Sequence, residues 1–331
     1  MNIRSFGWRD LPLLSSYRNR GLFLDSSRVL IHGSIMVPLG ALITFFGPST
    51  RIYTYRCESH KKSGKPLIGQ LNYLPGASYA KLSYLAPYES IEQGELSALS
   101  DYMAIQMGSQ GAFHILADVD ENNHVFEMLH QASFAIYARQ RIWRIEDQPD
   151  GEAGLGQWRA VQPVDVIGVR SLYCNVVPGL VQQVEPLPKK GIKGVVYYQK
   201  NALQAYVELK YGRNGIWVQP FVNPDAEGFE RHLLTLLQEL PGRRSRPLYI
   251  CVRSYQSWLE LAIHAMGAQP GPQQAVMVRH LAITRRVNPS LAIPTMNGKR
   301  PEPTAPVFHI ENSNYVDTSE MDKQPGSKVV V

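Results

Sequence analysis

Two stretches of this chain repeat one order of apolar and polar positions. In the first, residues 79–86 read as a strand, residues 95–107 as a helix, and residues 112–119 as an apolar run of strand length. Asp120, Glu121, Asn122 and Asn123 follow as a polar turn able to cap a helix. Val125, Phe126, Leu129 and Ala132 then recur at helical spacing, and residues 134–143 read as a closing strand. In the second stretch the same order returns, with a strand over 215–222, a helix over 229–240 and a strand over 247–252. Ser254, Tyr255, Gln256 and Ser257 make the turn, Trp258, Leu259, Leu261, Ala262 and Ala265 carry the next helix, and residues 275–283 close. Trp143 on the first closing strand and Trp258 on the second helix's apolar stripe are expected in the core.

Duplication of one α/β unit accounts for this order. The expected division is a domain over 1–147, a polar glycine-rich linker over 148–157, a second and more divergent domain over 158–287, and a mostly disordered tail over 288–331. Each domain is expected to hold its own core. Prolines recur through the tail without helical or strand period. Residues 184–191, with Pro186 and Pro188, read as an ordered turn. Residues 29–46 are apolar enough to suggest a membrane segment, but His32, Gly33, Ser34, Pro38 and Gly40 interrupt them. Two buried strands around a turn are expected there instead.

Composition narrows the setting. The chain has 331 residues, 44% hydrophobic and 19% charged, as a globular protein has. Cys57, Cys174 and Cys251 are an odd, scattered set that fits a reducing compartment, and no signal-peptide pattern opens the chain, so a cytoplasmic location and no membrane are expected. The net charge of +6 falls on the second half: residues 1–150 are balanced, while residues 151–290 carry +7. With Tyr197, Tyr198, Tyr206, Tyr211 and Trp217 nearby, that charge raises a nucleic-acid-binding reading, though aromatics at strand spacing usually build a core. No nucleophile elbow, phosphate-binding loop or dinucleotide fingerprint is present. His114, His124 and His130 lack a metal-ligand pattern, so no metal is expected.

Several residues resemble the GNAT superfamily of N-acetyltransferases. Ile3-Arg4-Ser5-Phe6 followed by Asp10-Leu11-Pro12 is similar to the opening strand and helix of that family. Asn122 and Ser133-Phe134, with Met266-Gly267-Ala268 at the equivalent place in the second half, are similar to its late segment. The resemblance implies an α/β fold of α+β type: two tandem GNAT-like domains, each a mostly antiparallel mixed sheet flanked by helices. It also implies acetyl-CoA as cofactor and a small-molecule or protein amine as acceptor. The resemblance further implies that coenzyme A is held by a loop before the helix that follows the central strand, and uses a cleft that opens where the central strands splay. In the first half Gln93 and Gly94 retain part of that loop, crowded by Glu89, Glu92 and Glu95. In the second half residues 223–230 hold one glycine, Gly228, among Asp225, Glu227 and Glu230. Acids suit a helix start with no anion bound and oppose a pyrophosphate. The family's general-acid tyrosine falls on Leu129 and on Ile263, beside His130 and His264. Glu208 is a strand carboxylate able to act as base or simply to face solvent. Three readings stay open: an acyl-CoA-dependent N-acyltransferase with a weakened cofactor site, a non-catalytic ligand- or protein-binding descendant, and a nucleic-acid-binding module.

Overall fold

The computed structural model describes residues 2–17, 20–33, 51–58, 65–151, 154, 157–188 and 191–281. Most of residues 29–46 and the whole segment from 282 onward lie outside the described residues. The first half runs β1 (Ile3–Ser5), α1 (Leu11–Ser16), β2 (Leu22–Phe23), α2 (Ser26–His32), β3 (Ile52–Cys57), β4 (Leu67–Tyr73), β5 (Tyr79–Ala86), α3 (Gln93–Ser109), β6 (His114–Asp120), α4 (His124–Gln131) and β7 (Ala135–Ile145). The second runs β8 (Trp158–Ala160), α5 (Val166–Val176), α6 (Gly179–Val184), β9 (Val195–Gln199), β10 (Ala202–Tyr211), β11 (Ile216–Val222), α7 (Phe229–Glu239), β12 (Leu248–Arg253), α8 (Leu259–Ala265) and β13 (Gln269–His280). The repeated order read from the sequence is present. Residues 29–32, expected as strand, are the end of helix α2, whose start is capped by the Asp25 carboxylate accepting from the Arg28 amide.

Among the described residues the strands form one mixed sheet in the order β1-β3-β4-β5-β6-β13-β7-β12-β11-β10-β9-β8, with β2 paired to β5. The centre of that order holds an exchange. β13, which closes the second half, pairs with β6 of the first, and β7, which closes the first half, pairs with β12 of the second. The two closing strands also pair antiparallel with each other.

The exchange decides where the cores lie. Successive strand residues point to opposite faces, so Ala275 and Met277 of β13 enter the core under α3 and α4, while Val276 and Val278 enter a core under α5 and α6. Trp143 and Ile145 of β7 pack with α7 and α8. Each half therefore takes core side chains from the other. The helices cross over as well. Ile31 of α2 packs on Trp217, Tyr249 and Cys251, while Val169 and Val181 of α5 and α6 pack with Leu116 and Tyr137. Contacts gather Met1–Thr284 into one unit. Within the expected linker, Asp150 donates its amide to the Met266 carbonyl (3.2 Å) and Gly154 donates to Thr235 Oγ1 (2.9 Å).

Both halves open on one device. Arg4 donates both terminal nitrogens to Asp10 at 2.7 Å, and Arg159 does the same to Asp165 at 2.6 Å. Each aspartate also accepts the amide three residues before it, from Gly7 and Gln162. The device fixes the turn from the first strand into the first helix, at the same place in each repeat. Burial pushes the Asp10 carboxyl up, but Arg4, the Gly7 amide and Arg56 outweigh it and hold the group at about 2.

Trp143 is buried as expected, whereas Trp258 is 38% exposed. Helix α8 turns Leu259 and Ile263 inward and leaves Leu261 in solvent, a period of four that puts residue 258 at its edge. No helix among the described residues is long and apolar enough to cross a membrane.

Candidate functional site

The sequence directs attention to the starts of α3 and α7. Gln93 is the first residue of α3, with Glu92 before it, and its Nε2 donates to Ser97 Oγ and to the Met128 carbonyl, both at 3.1 Å. Its carboxamide thus ties α3 to α4. Gly94 follows in the first turn. Glu95 is buried, and Glu89 accepts from Arg20 at 2.6 Å. At α7, Gly228 has a φ of 61°, the left-handed conformation that glycine adopts freely, and turns the chain into the helix.

The central strands splay in both halves. β5 and β6 run parallel for three pairs, Tyr79 with His114 to Lys81 with Leu116, and then part. β11 and β12 pair from Ile216 with Leu248 to Val218 with Ile250, and part in the same way. A parted strand exposes backbone donors and acceptors, which must find partners. A coenzyme A arm, with its two amides, can supply them. Here the chain supplies them itself.

In the first half β2 lies in the gap. Its Leu22 and Phe23 pair with Leu85 and Tyr84 on the edge of β5 opposite β4. Leu24 then bridges, donating to the Ser83 carbonyl (3.1 Å) and accepting from the Asp118 amide of β6 (2.8 Å). In the second half a side chain does this work. The buried Gln256 carboxamide donates to the Pro220 carbonyl at 2.8 Å and accepts from the Val222 amide at 3.0 Å. One carboxamide presents the same donor and acceptor pair as a peptide unit. The bonded β5 edge in the first half and the bonded β11 edge in the second do not fit a coenzyme A arm.

A different opening lies at the seam of the halves. A cavity of about 90 Å³ is bounded by Lys81 and Asp118 from the first half and by Glu185, Glu208, Lys210 and Arg253 from the second. Arg253 Nη2 meets Glu185 at 2.7 Å, Lys210 meets Glu208 at 3.0 Å, and Lys81 meets Asp25 at 3.6 Å. Asp118 Oδ2 accepts from the Ser26 amide at 3.1 Å. Burial disfavours the Arg253 and Lys81 cations, yet Glu185 beside one and Asp25 beside the other raise both well above their ordinary values. Burial also raises the Asp118 carboxyl; Lys81 opposes that shift and Asp25 adds to it. Beside the cavity, Gln140 donates to Gln274 at 2.9 Å, Ser26 Oγ donates to the same oxygen at 3.0 Å, and Cys251 lies 3.3 Å from Gln140 Oε1.

No family model matches the chain, and no curated protein matches it in sequence. Solved structures do. A GCN5-related N-acetyltransferase from Sphaerobacter thermophilus superposes with a TM-score of 0.53 at 10% identity, over 84% of this chain and 95% of that one. The chain has the GNAT fold. A tandem GNAT protein from the clavulanic acid biosynthesis pathway gives 0.49 at 12% identity, over 86% and 99%. A putative acetyltransferase from Pyrococcus horikoshii gives 0.47 at 12%, over 85% and 90%.

Within the GNAT frame the other sequence candidates fall into place. Leu129 and Ile263, where the resemblance sets the family's tyrosine, are fully buried in the first and second cores. His130 and His264 are exposed, and His264 rests edge-on against Trp143 with ring centres 6.0 Å apart. Glu208 joins the seam cavity through its pair with Lys210. Of the aromatics proposed for stacking on nucleic acid, Tyr197, Tyr206 and Trp217 are buried. No three metal-ligating side chains come together among the described residues. Sequence reasoning missed Lys81, Asp118 and Arg253. Each is a charge set inside or at the end of an apolar strand run, a signal that alternation tends to assign to a solvent face.

Proposed function

We propose that this GNAT-fold protein binds a ligand and does not transfer an acyl group. One observation carries the reading: the strand edges that part in each half are bonded within the chain, by Leu22, Phe23 and Leu24 in one and by Gln256 in the other. Buried Leu129 and Ile263 support it, since neither can protonate a departing thiolate. The seam cavity supplies the binding site, and a small molecule is its partner. Buried charges such as Asp25, Asp118 and Arg253 are an expensive way to fill space, because apolar side chains of similar volume stabilise as well or better. Such a cluster in a cleft marks a site in use.

The experiment is a calorimetric titration of the full chain with acetyl-CoA, paired with a free-thiol assay over a panel of amines. No saturable heat and no thiol release are expected. Saturable binding with turnover of an amine would overturn the reading. A second reading, acyl transfer in the second half, has one point in its favour: Gln256 is a single side chain able to swing away, whereas the first-half closure is backbone. Should acetyl-CoA bind, the second cleft is the place to look, ahead of Gln93 and Gly94.

A further inference from the structure

The seam cavity contains a buried cation with unused bonding capacity. Arg253 is 6% exposed, its Nη2 donates to Glu185, and the Tyr137 hydroxyl lies beside the group. Its Nε and Nη1 are buried without a hydrogen-bond partner. A buried donor left without an acceptor costs on the order of 1–3 kcal/mol, more for a charged group, and this side chain leaves two. Nε and Nη1 donate on different sides of the guanidinium, so Nη1 is free to donate to a second anionic oxygen, and planar carboxylates match guanidinium donors well.

The opposite wall carries the complementary sign. Asp118 stands on β6, three strands from Arg253 on β12 in the order β6-β13-β7-β12, so about 14 Å separates their backbones. Arg253 pairs with Glu185 and Asp118 accepts from the Ser26 amide. Asp118 is buried beside Asp25, with Lys81 as the cation nearest to offsetting them. An added ammonium group there would relieve the crowding of carboxylates. Size sets the last limit. A water needs roughly 10–15 Å³ on this volume measure, so about 90 Å³ holds a ligand of about six to nine non-hydrogen atoms.

We propose that the seam cavity binds a small zwitterion of amino-acid size, its carboxylate accepting from Arg253 Nη1 and its ammonium toward Asp118. This deepens the binding reading above and rests on it. The exposed Pro186 and Pro188 at the cavity lining mark the side from which the ligand enters. Tyr79, Tyr173 and Tyr255 line the walls and limit side-chain size, which favours serine or alanine over aromatic amino acids.

The test uses the full chain, thermal unfolding and calorimetry, and four probes: L-serine, L-alanine, succinate and putrescine. Serine and alanine should raise the Tm and give saturable heats. Succinate should bind at least about tenfold more weakly, and putrescine should not bind. Arg253→Lys keeps the charge but loses the Nη1 donor and the planar fork, and should weaken serine binding about tenfold or more. If that variant fails to fold, Ser27→Phe places a ring in the cavity from α2 and should abolish serine binding in a folded protein. The proposal fails if no amino acid binds, if putrescine matches serine, or if Arg253→Lys or Ser27→Phe binds serine as the natural chain does. Acetylation of serine in the presence of acetyl-CoA would overturn the non-catalytic reading while leaving the ligand class standing. Absence of serine binding would remove the ligand class and leave the closed clefts untouched.

Discussion

In the first half the parted edge of β5 is bonded by the backbone of Leu22, Phe23 and Leu24, and in the second the parted edge of β11 is bonded by one carboxamide. The two closures satisfy the same backbone need with different consequences. Leu24 is itself fully buried in the first core, so its closure also stabilises by roughly 1.5–3 kcal/mol of apolar burial. Undoing it means re-routing the chain between α1 and α2. Gln256 adds two hydrogen bonds and little apolar area, and one substitution removes it. The first cleft is thus closed by the fold, and the second by a residue.

The largest test of this comparison concerns whether the halves are separable at all. Trp143 belongs by sequence to the first half and by packing to the second core. Trp143→Ala should cost roughly 3–5 kcal/mol. Urea unfolding of both the natural chain and this variant should remain one transition, followed by near-ultraviolet dichroism and by far-ultraviolet dichroism together. Two separated transitions, with only the second shifted, would mean that the exchanged strands do not couple the halves.

Next in size is the second closure. Gln256→Ala leaves the Pro220 carbonyl and the Val222 amide without their partner, at a cost of about 1–3 kcal/mol. Gln256→Glu keeps the acceptor and loses the donor, so it should fall between the natural chain and the alanine variant at neutral pH. Chemical denaturation of the three proteins orders them. Equal stability for all three would show that water satisfies this edge and that the cleft is open.

How far the sequence carried can be judged at these same residues. The strands flanking each splay, the helices after them and the Asn123 cap were legible, because apolar period and turn chemistry are local. The plug was not. Leu22 and Phe23 form a two-residue strand, too short for any period, and its partner is more than sixty positions away. The exchange of β7 and β13 left no trace either, since a closing strand has the same pattern whichever neighbour it joins. Trp258 was misplaced by its own size: a large apolar residue beside a helix start was read inward, while the helix turned it out. The seam charges were visible as Lys81, Asp118 and Arg253 in apolar surroundings, but only the folded chain brings them to one cavity.

A smaller effect compares the two opening devices. Asp10 is held at about 2 against an ordinary 3.8 by Arg4, the Gly7 amide and Arg56, which together outweigh burial. A depressed carboxyl contributes stability that is full above its unfolded value and is lost as pH falls through the folded one. The contribution should be present above roughly pH 4 and fade toward pH 2, and with solvent screening at the exposed Arg4 it amounts to about 1–2 kcal/mol. Asp165, held well below its ordinary value chiefly by Arg159, should behave in the same direction. Asp10→Asn and Asp165→Asn should each lose stability relative to the natural chain at neutral pH, and the gap should narrow in acid. A gap that stays constant down to pH 2.5 would mean that shape, not charge, makes the device.

The smallest expected effect is the most telling for function. Glu89, Glu92 and Glu95 surround the start of α3, where the resemblance places a pyrophosphate beside Gln93 and Gly94. If repulsion by these acids were the only obstacle, their replacement by glutamine would recover acetyl-CoA binding, with each screened surface repulsion, from Glu89 and Glu92, worth about 1 kcal/mol or less. The closed first cleft sets a different expectation. The phosphate end would meet a neutral helix start, but the arm would still find the β5 edge bonded to β2. Glu89 also serves Arg20, so its loss frees a cation close to the loop and should, if anything, favour an anion. The triple glutamine variant should therefore show no more affinity for acetyl-CoA than the natural chain, by calorimetry at low ionic strength where charge effects are largest. Binding that appears only in the triple variant would place the barrier in the charges and reopen the first half as a cofactor site. Binding of adenosine 3′,5′-bisphosphate without binding of acetyl-CoA would separate the two obstacles, with the charges relieved and the backbone of residues 22–24 still in the way.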